Sequence, residues 1–350
     1  MEQIYVGIDI HRKFSLLHVQ NQKGEKLDTK RLNHDDVESI REYFMKYPHA
    51  SVVMEASCGW MWFTDLLQEL GFNVHLAHSS GVKAISSSHK KTDKEDAQIL
   101  ANLLRSNFLP EAYLSPKEVR DDRELFRHRA AMVKLRTNIK NKVHAQLIKL
   151  NFQPNSSDIF NIKGRAIIEK YQLSDVHQTV LDGWLSIIDF LELQIKSMED
   201  IIKDRLKKDP RSVILQSMPG IGYLTAYAMI SEIGDINRFR SAHAFCCYCG
   251  LVPSTKQSAD KTRHGKLISG HSCLKLSFVE STHVAIRKDK YFKDIYERQI
   301  KTKSKCRSVI VCAHKMGLIV YKMLKENRTF IKNKTQNDEK KVGSNVSMTD

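Results

Sequence analysis

The sequence predicts an α/β domain at the N-terminus, an α-helical, coiled-coil-like connector, and a mainly α domain at the C-terminus. Three observations carry this reading. Short apolar runs fill the first third of the chain, three in succession and then alternating with helical patterns, as in a mixed sheet. Between residues 117 and 208 there is no strand pattern, and apolar residues recur at helical spacings. Beyond Pro210, Gly- and Pro-containing turns separate further helical stretches. The 350 residues, 41% of them apolar, suffice for two ordinary cores. The expected divisions are 1–115, 116–208 and 209–326, with a polar, aperiodic tail at 327–350 expected to be disordered.

Residues 4–10, 15–20 and 26–32 read as strands joined by polar turns such as Asn21-Gln22-Lys23-Gly24. A helix follows over 35–46, started by Asp35 or Asp36, with Val37, Ile40, Tyr43 and Phe44 as its apolar positions. A buried strand at 50–55, a helix at 60–70 stopped by Gly71, and a strand at 73–77 come next. A helix carrying Asp93 and Asp96 runs to about Arg105. This order fits an RNase H or RuvC-like fold, an analogy of architecture.

Four acids stand at the ends of these elements. Asp9 closes Ile4-Tyr5-Val6-Gly7-Ile8, Glu55 closes Ser51-Val52-Val53-Met54, and Asp93 and Asp96 share one helical face. Acids that end buried strands call for a cation. Mg²⁺ (or Mn²⁺) suits them, since it takes hard oxygen ligands together with water and phosphate. Read singly, Asp93 and Asp96 are also ordinary first-turn acids facing a helix dipole, and Asp9 a turn acid.

Residues 118–150 place Leu125, Met132, Leu135, Ile139, Val143, Leu147 and Leu150 along one long amphipathic helix. From 127 to 150 this helix has seven Lys or Arg and no acid. Arg127, Arg129, Lys134, Arg136, Lys140 and Lys142 therefore form a basic stripe, either a solvated face or a nucleic-acid track. A second helix over 178–207 offers Leu181, Ile188, Ile195 and Ile202 as an antiparallel partner.

In the last third, Met218-Pro219-Gly220-Ile221-Gly222 resembles the turn of a helix–hairpin–helix. There Gly220 and Gly222 would aim backbone N–H groups at phosphate. Residues 254–275 read as an exposed loop, with Lys256, Lys261, Arg263 and Lys266 around Ser258. A serine hydroxyl reacts only when a base or metal activates it and cations stabilise the developing charge; Ser269 is a rival. The seven cysteines are an odd number in a long chain, which argues against a disulfide framework. Cys246 and Cys249 have C-x-x-C spacing, with His271 and Cys273 as conceivable partners, but without a second ligand pair they read as packing residues.

A net charge of +16 points to a polyanionic partner, nucleic acid above all. The chain starts without a signal-peptide pattern, and no apolar run approaches the ~18 residues that cross a bilayer. The expectation is a cytoplasmic, nucleoid-associated protein without membrane contact. A sugar-kinase reading fails at Asp9-Ile10-His11-Arg12-Lys13, which lacks the small residues that let phosphate approach.

Gly-Ile-Asp-Ile-His-Arg-Lys, Val-Met-Glu-Ala-Ser and Lys-Thr-Asp-Lys-Glu-Asp-Ala resemble the N-terminal domain of DEDD-type insertion-sequence transposases of the insertion sequence 110 class. Met-Pro-Gly-Ile-Gly, Glu-Ile-Gly-Asp-Ile-Asn-Arg-Phe, Tyr-Cys-Gly-Leu-Val-Pro and the Ser/Lys-rich segment resemble their C-terminal domain, and the resemblance spans about residues 3–320. It implies a recombinase that excises and inserts its own element. Asp9, Glu55, Asp93 and Asp96 would be the metal ligands of a RuvC-like domain, and Ser258 the nucleophile that becomes linked to DNA. It also implies a structured bridge RNA and a homo-oligomer, dimer or tetramer, with sites shared between subunits. The family usually has Ser-Gly and a later Lys-Arg-Gly-Asn-like segment; this chain has Ser258-Ala259 and Gly270-His271-Ser272-Cys273. The alternatives are a RuvC-like nuclease that hydrolyses branched DNA with metal and water, and an inactive nucleic-acid-binding copy.

Overall fold

Alternation builds the first strand. β1 (Tyr5–Ile10) turns Val6, Ile8 and Ile10 into one buried face, which leaves Tyr5, Gly7 and Asp9 on the other. β2 (Phe14–Gln20) and β3 (Lys26–Asn33) follow antiparallel. α1 (Val37–Met45) starts at Asp36, whose carboxylate accepts from the Ser39 N–H at 2.9 Å. β4 (Ser51–Glu55) returns parallel to β1. α2 (Trp60–Glu69), β5 (Asn73–Ala77), α3 (Ser79–Ile85), α4 (Asp93–Arg105) and β6 (Glu111–Ala112) complete the unit. Among the described residues the sheet order is β3-β2-β1-β4-β5-β6, with β5 parallel to β4 and β6 antiparallel at the far edge. β3 is a charged, largely exposed edge and β6 has two residues, and both features discourage further pairing. The structure is a computed structural model that describes residues 2–57, 59–85, 93–152, 158–171, 173–258, 261–268 and 270–331.

Helices cover both faces of the sheet. Ile40, Phe44, Phe63 and Leu67 of α1 and α2 pack on the Val6/Ile8 face. Each such side chain contributes about 2 kcal/mol by leaving water. Leu100, Leu103 and Leu104 of α4 pack on the opposite face against Val53 and Ala77. The contact with β1 is at backbone distance, because a Cβ on Gly7 would stand 2.0 Å from the Ala97 carbonyl oxygen. Only glycine lets α4 lie there.

The chain forms two compact units, Met1–Lys117 and Glu118–Asp350. The second begins with α5 (Lys117–Lys149), followed by α6 (Ile162–Glu169) and α7 (Asp175–Lys207). α5 and α7 run antiparallel: Val143 and Leu147 pack with Leu181 and Ile188 at one end, while Asp122 meets Arg205 at the other. α8 (Arg211–Gln216), α9 (Tyr223–Ile233), α10 (Ala242–Tyr248), the hairpin β7 (Pro253–Ser258) and β8 (Lys261–Leu267), α11 (Ser272–Lys288), α12 (Lys290–Ile300) and α13 (Lys305–Lys325) follow. Packing does not stop at residue 208, the edge expected for the connector. Ile202 and Leu206 of α7 share one core with Leu215, Met229, Phe245, Phe278 and Met316, and Leu125 and Phe126 of α5 pack against it.

Three expectations are corrected. The segment 254–275, expected as an open loop, is a two-stranded hairpin leading into α11. Its strands are polar on both faces, so no apolar alternation marks them. α3, α6 and β6 were not expected; they are short, and β6 is defined only by pairing with Leu76 and Ala77. The first residues of the tail expected from 327 are described and reach the core. The Phe330 N–H donates to Ser217 Oγ at 2.8 Å and its ring packs on the core, while residues 332–350 lie outside the described residues.

Candidate metal and nucleic-acid site

Asp9 and Glu55 stand near the C-terminal ends of neighbouring parallel strands. Ile8 pairs with Met54, so the acids stand one residue further on, both on the face covered by α4. The direction of α4 follows from its neighbours. Ala97 and Ala101 lie on Gly7, and the Arg105 side chain lies against Gly24 in the β2–β3 turn. The first turn of α4, with Asp93 and Asp96, is therefore at the Asp9 end of the sheet. The backbone thus brings all four acids to one edge.

The Asp93 side chain lies outside the described residues. Among the described residues no three His, Cys, Asp or Glu side chains are close enough together to hold a metal. Asp9 has instead a neighbour that sequence reasoning did not single out: its Oδ2 is 3.1 Å from His11 Nε2. The ring of His11 rests on Phe14, with centroids 4.6 Å apart. Carboxylate oxygens are the ligands a hard cation such as Mg²⁺ or Mn²⁺ takes, and Asp9, Glu55, Asp93 and Asp96 are the residues that could hold one.

The basic stripe of α5 is largely engaged within the protein. Arg129 donates to Glu199 with Nε at 3.1 Å. Arg136 and Lys140 approach Glu192 at 3.8 and 3.5 Å. The Lys142 ammonium lies 5.5 Å from the centre of the Trp184 ring. Arg127 donates from Nε and Nη2 to the two Glu232 oxygens, each at 2.9 Å. Lys134 is exposed on the same helix. The acids that meet this stripe are 50 residues or more away in sequence, which is why the run looked uncompensated.

Glu232 is the centre of a cluster that sequence reasoning missed. Its side chain is 1% exposed, in α9. Besides Arg127, it meets His271 Nε2 at 3.2 Å and Arg123 Nε at 3.5 Å. Arg123 also donates to the Ser231 carbonyl at 2.7 Å. Burial alone would raise the Glu232 carboxyl, but hydrogen bonds from His271 and Arg127, with their charge, outweigh it and hold the group at about 2. The cluster ties α5 and α9 to His271, the residue that opens α11 just after the hairpin.

In that hairpin Ser258 pairs with Lys261 on the last rung, and Lys256 pairs with Arg263 two rungs below. Rungs two apart share one face of an antiparallel ladder. The description of these four residues and of Lys266 extends to their backbone positions; Ser269 lies outside the described residues. The base of the hairpin is fixed by crossing glycines: a Cβ on Gly270 would stand 2.2 Å from the Gly250 nitrogen. Gly220, at φ +93°, abuts α11, where a Cβ would stand 2.1 Å from the Ser281 carbonyl oxygen; the corresponding space at Gly222 is open. Cys246 and Cys249 are fully buried packing residues, and burial pushes the Cys246 thiol up to about 12. No described helix is long and apolar enough to cross a membrane.

Comparison with known proteins finds matches in both units. Residues 6–152 match the DEDD transposase family, described as "Transposase", and residues 212–297 match the "Transposase IS116/IS110/IS902 family". The chain is 25% identical to the transposase for insertion sequence element IS1328 of Yersinia enterocolitica, over 82% of this chain and 85% of the relative. It is 24% identical to the transposase for insertion sequence element IS1111A of Coxiella burnetii, over 93% and 90% respectively. A pilin gene-inverting protein of Moraxella bovis is 27% identical over 69% of this chain and 68% of its own length. Both units match, in order and over most of the length, and the chain belongs to the IS110 class of DEDD transposases.

Proposed function

We propose that this transposase cuts and rejoins the ends of its own mobile element through a covalent serine–DNA intermediate, with divalent metal at the carboxylate edge and an element-encoded bridge RNA choosing the sites. The observation that carries the reading is the convergence of Asp9, Glu55 and the first turn of α4 at one edge of the sheet. The order β3-β2-β1-β4-β5-β6, antiparallel in its first three strands and parallel in the centre, supports a RuvC-like fold. When bound, Mg²⁺ would polarise the scissile phosphate and lower the pKa of a coordinated oxygen.

Ser258 Oγ loses its proton and bonds to phosphorus while the bond from phosphorus to the leaving sugar oxygen breaks. That oxygen leaves as a hydroxyl, and the phosphoserine ester retains the energy needed for rejoining by another strand's hydroxyl. Lys261 and Lys256 stand on the rungs from which cations could meet the developing charge. The Moraxella relative, named for inverting a gene, supports rejoining, since an inversion restores every strand it cuts. Two helices, α8 and α9, around Gly220 and Gly222 support a helix–hairpin–helix contact to phosphate, with Gly222 the open position. The charge of +16 supports both DNA and RNA as partners. A dimer or tetramer is part of the same reading.

A strand-transfer assay tests it, with purified protein, element-end DNA and the transcript flanking the gene. Joined products are expected with Mg²⁺, and their loss with chelator, with Asp9→Asn and with Glu55→Gln. Hydrolysed ends without joined products would favour the nuclease, and DNA binding without strand breakage an inactive copy.

A further inference from the structure

A cavity of about 1030 Å³ opens at the base of the β7–β8 hairpin, away from its tip. Its floor is aliphatic, made by Leu251 before the hairpin, Pro253 and Leu267 at the hairpin's two ends, and Ile310 and Val311 of α13. Its polar wall is cationic. Lys275 projects from the first turns of α11, Lys303 from the α12–α13 turn and Arg307 from the start of α13. Lys303 donates to the neutral Gln299 side chain. No carboxylate is among the described lining residues, and none of these three cations is ion-paired among the described residues. His243 and His314 add ring nitrogens; burial, and the charge of His243 and Lys315, lower His314 below the ordinary imidazole range.

This differs from the stripe on α5, where acids from α7 and α9 neutralise most of the cations. Here the positive charge is left over, beside an aliphatic floor. An anion alone would use the wall and waste the floor, and an apolar ligand would leave the cations unmet. A nucleotide uses both, with its phosphate on the lysines and arginine and its base on the aliphatic surface. The volume holds one or two nucleotides and excludes a duplex, so the base must come from an unpaired strand.

We infer that this cavity binds one or two unpaired nucleotides of the DNA strand served by the hairpin, holding the strand end next to the serine-bearing element. The inference rests on the transposase reading for the identity of the strand, and its test separates the two. Cys306 lines the cavity and is the exposed cysteine among the described ones, so its alkylation reports occupancy directly.

The experiment uses the full chain and the 5′-phosphorylated thymidine dinucleotide pTpT, with N-ethylmaleimide modification of Cys306 followed by peptide mass spectrometry. Saturating pTpT is expected to slow alkylation by about ten-fold, and equal inorganic phosphate to leave it unchanged. Arg307→Ala or Lys303→Ala should each demand about ten-fold more pTpT for the same protection, the loss of one charge-assisted contact. Ile310→Trp, which fills the floor and keeps every charge, should abolish protection. An unchanged alkylation rate with pTpT, or equal protection by inorganic phosphate, overturns the cavity assignment. Stronger protection by pUpU overturns the choice of DNA. Joining of element ends is assayed on the same preparation. Joining without protection removes the cavity assignment alone; protection without joining upholds the cavity and removes the proposed strand-transfer activity.

Discussion

Glu232 shows how a single buried residue sets a measurable property of this protein. Its carboxylate is 1% exposed and stays charged because Arg127, His271 and Arg123 surround it. Unfolded, the group titrates at 4.5; folded, at about 2. Because the folded value is the lower one, the stabilisation is complete above pH 4.5 and is lost as pH falls from 4.5 towards 2. The size is on the order of 3 kcal/mol. Denaturant titrations between pH 6 and 3 should show this loss, and Glu232→Gln should flatten it; an unchanged slope in the variant would assign the acid sensitivity elsewhere. Glu232→Ala removes the shared acceptor, but Arg123 keeps its backbone carbonyl partners and Arg127 is half exposed, so the cost should be about 1–3 kcal/mol. Gly7 is the other decisive single residue. Gly7→Ala would drive a Cβ into the Ala97 carbonyl, lift α4 and separate Asp96 from Asp9, at a cost of about 3 kcal/mol or more in thermal or chemical unfolding.

For the elements, the α5–α7 pair turns a long basic run into structure. Asp122 with Arg205, Arg129 with Glu199, and Arg136 and Lys140 with Glu192 form a ladder whose register runs antiparallel. Tyr227 and Tyr223 of α9 donate to Asp122 at 2.8 Å and to Glu199 at 3.2 Å, so the ladder also fixes α9. Glu199→Lys should lower stability by about 1–2 kcal/mol through like-charge contact with Arg129, and Arg129→Glu in the same chain should restore most of it. Arg136→Ala and Lys140→Ala should lower the melting temperature more than they lower DNA affinity. Lys256→Ala and Lys261→Ala should do the reverse, each reducing the salt slope of binding by about one. A loss of salt slope in Arg136→Ala equal to that in Lys261→Ala would contradict this division.

The strands of the first unit were legible because their apolar alternation is local, as in Val6, Ile8 and Ile10, and α1 because Asp36 caps it within three residues. The hairpin was not, because Thr-Lys-Gln-Ser and Lys-Thr-Arg-His carry no apolar face and are strands only through mutual pairing. The partners of the basic stripe were not either, since Glu192, Glu199 and Glu232 approach α5 only after the chain folds back.

For the molecule as a whole, the proposed reaction draws on residues of both units. The first gathers acids at a sheet edge, a feature legible in the sequence because strand ends and a helix start each carry one. The second offers a serine on a hairpin above a cation-lined cavity, and here the sequence held the serine and the motif but not the hairpin or the cavity. Their joint use on DNA is the central claim. The measurement that tests it most directly is covalent trapping with Mg²⁺, element-end DNA and flanking transcript, read on a denaturing gel for wild type, Ser258→Ala, Ser269→Ala and Asp9→Ala. The account predicts a DNA–protein adduct that is lost in Ser258→Ala and Asp9→Ala and kept in Ser269→Ala. Free cleaved ends, formed equally well by Ser258→Ala, would contradict it and make the protein a hydrolytic nuclease.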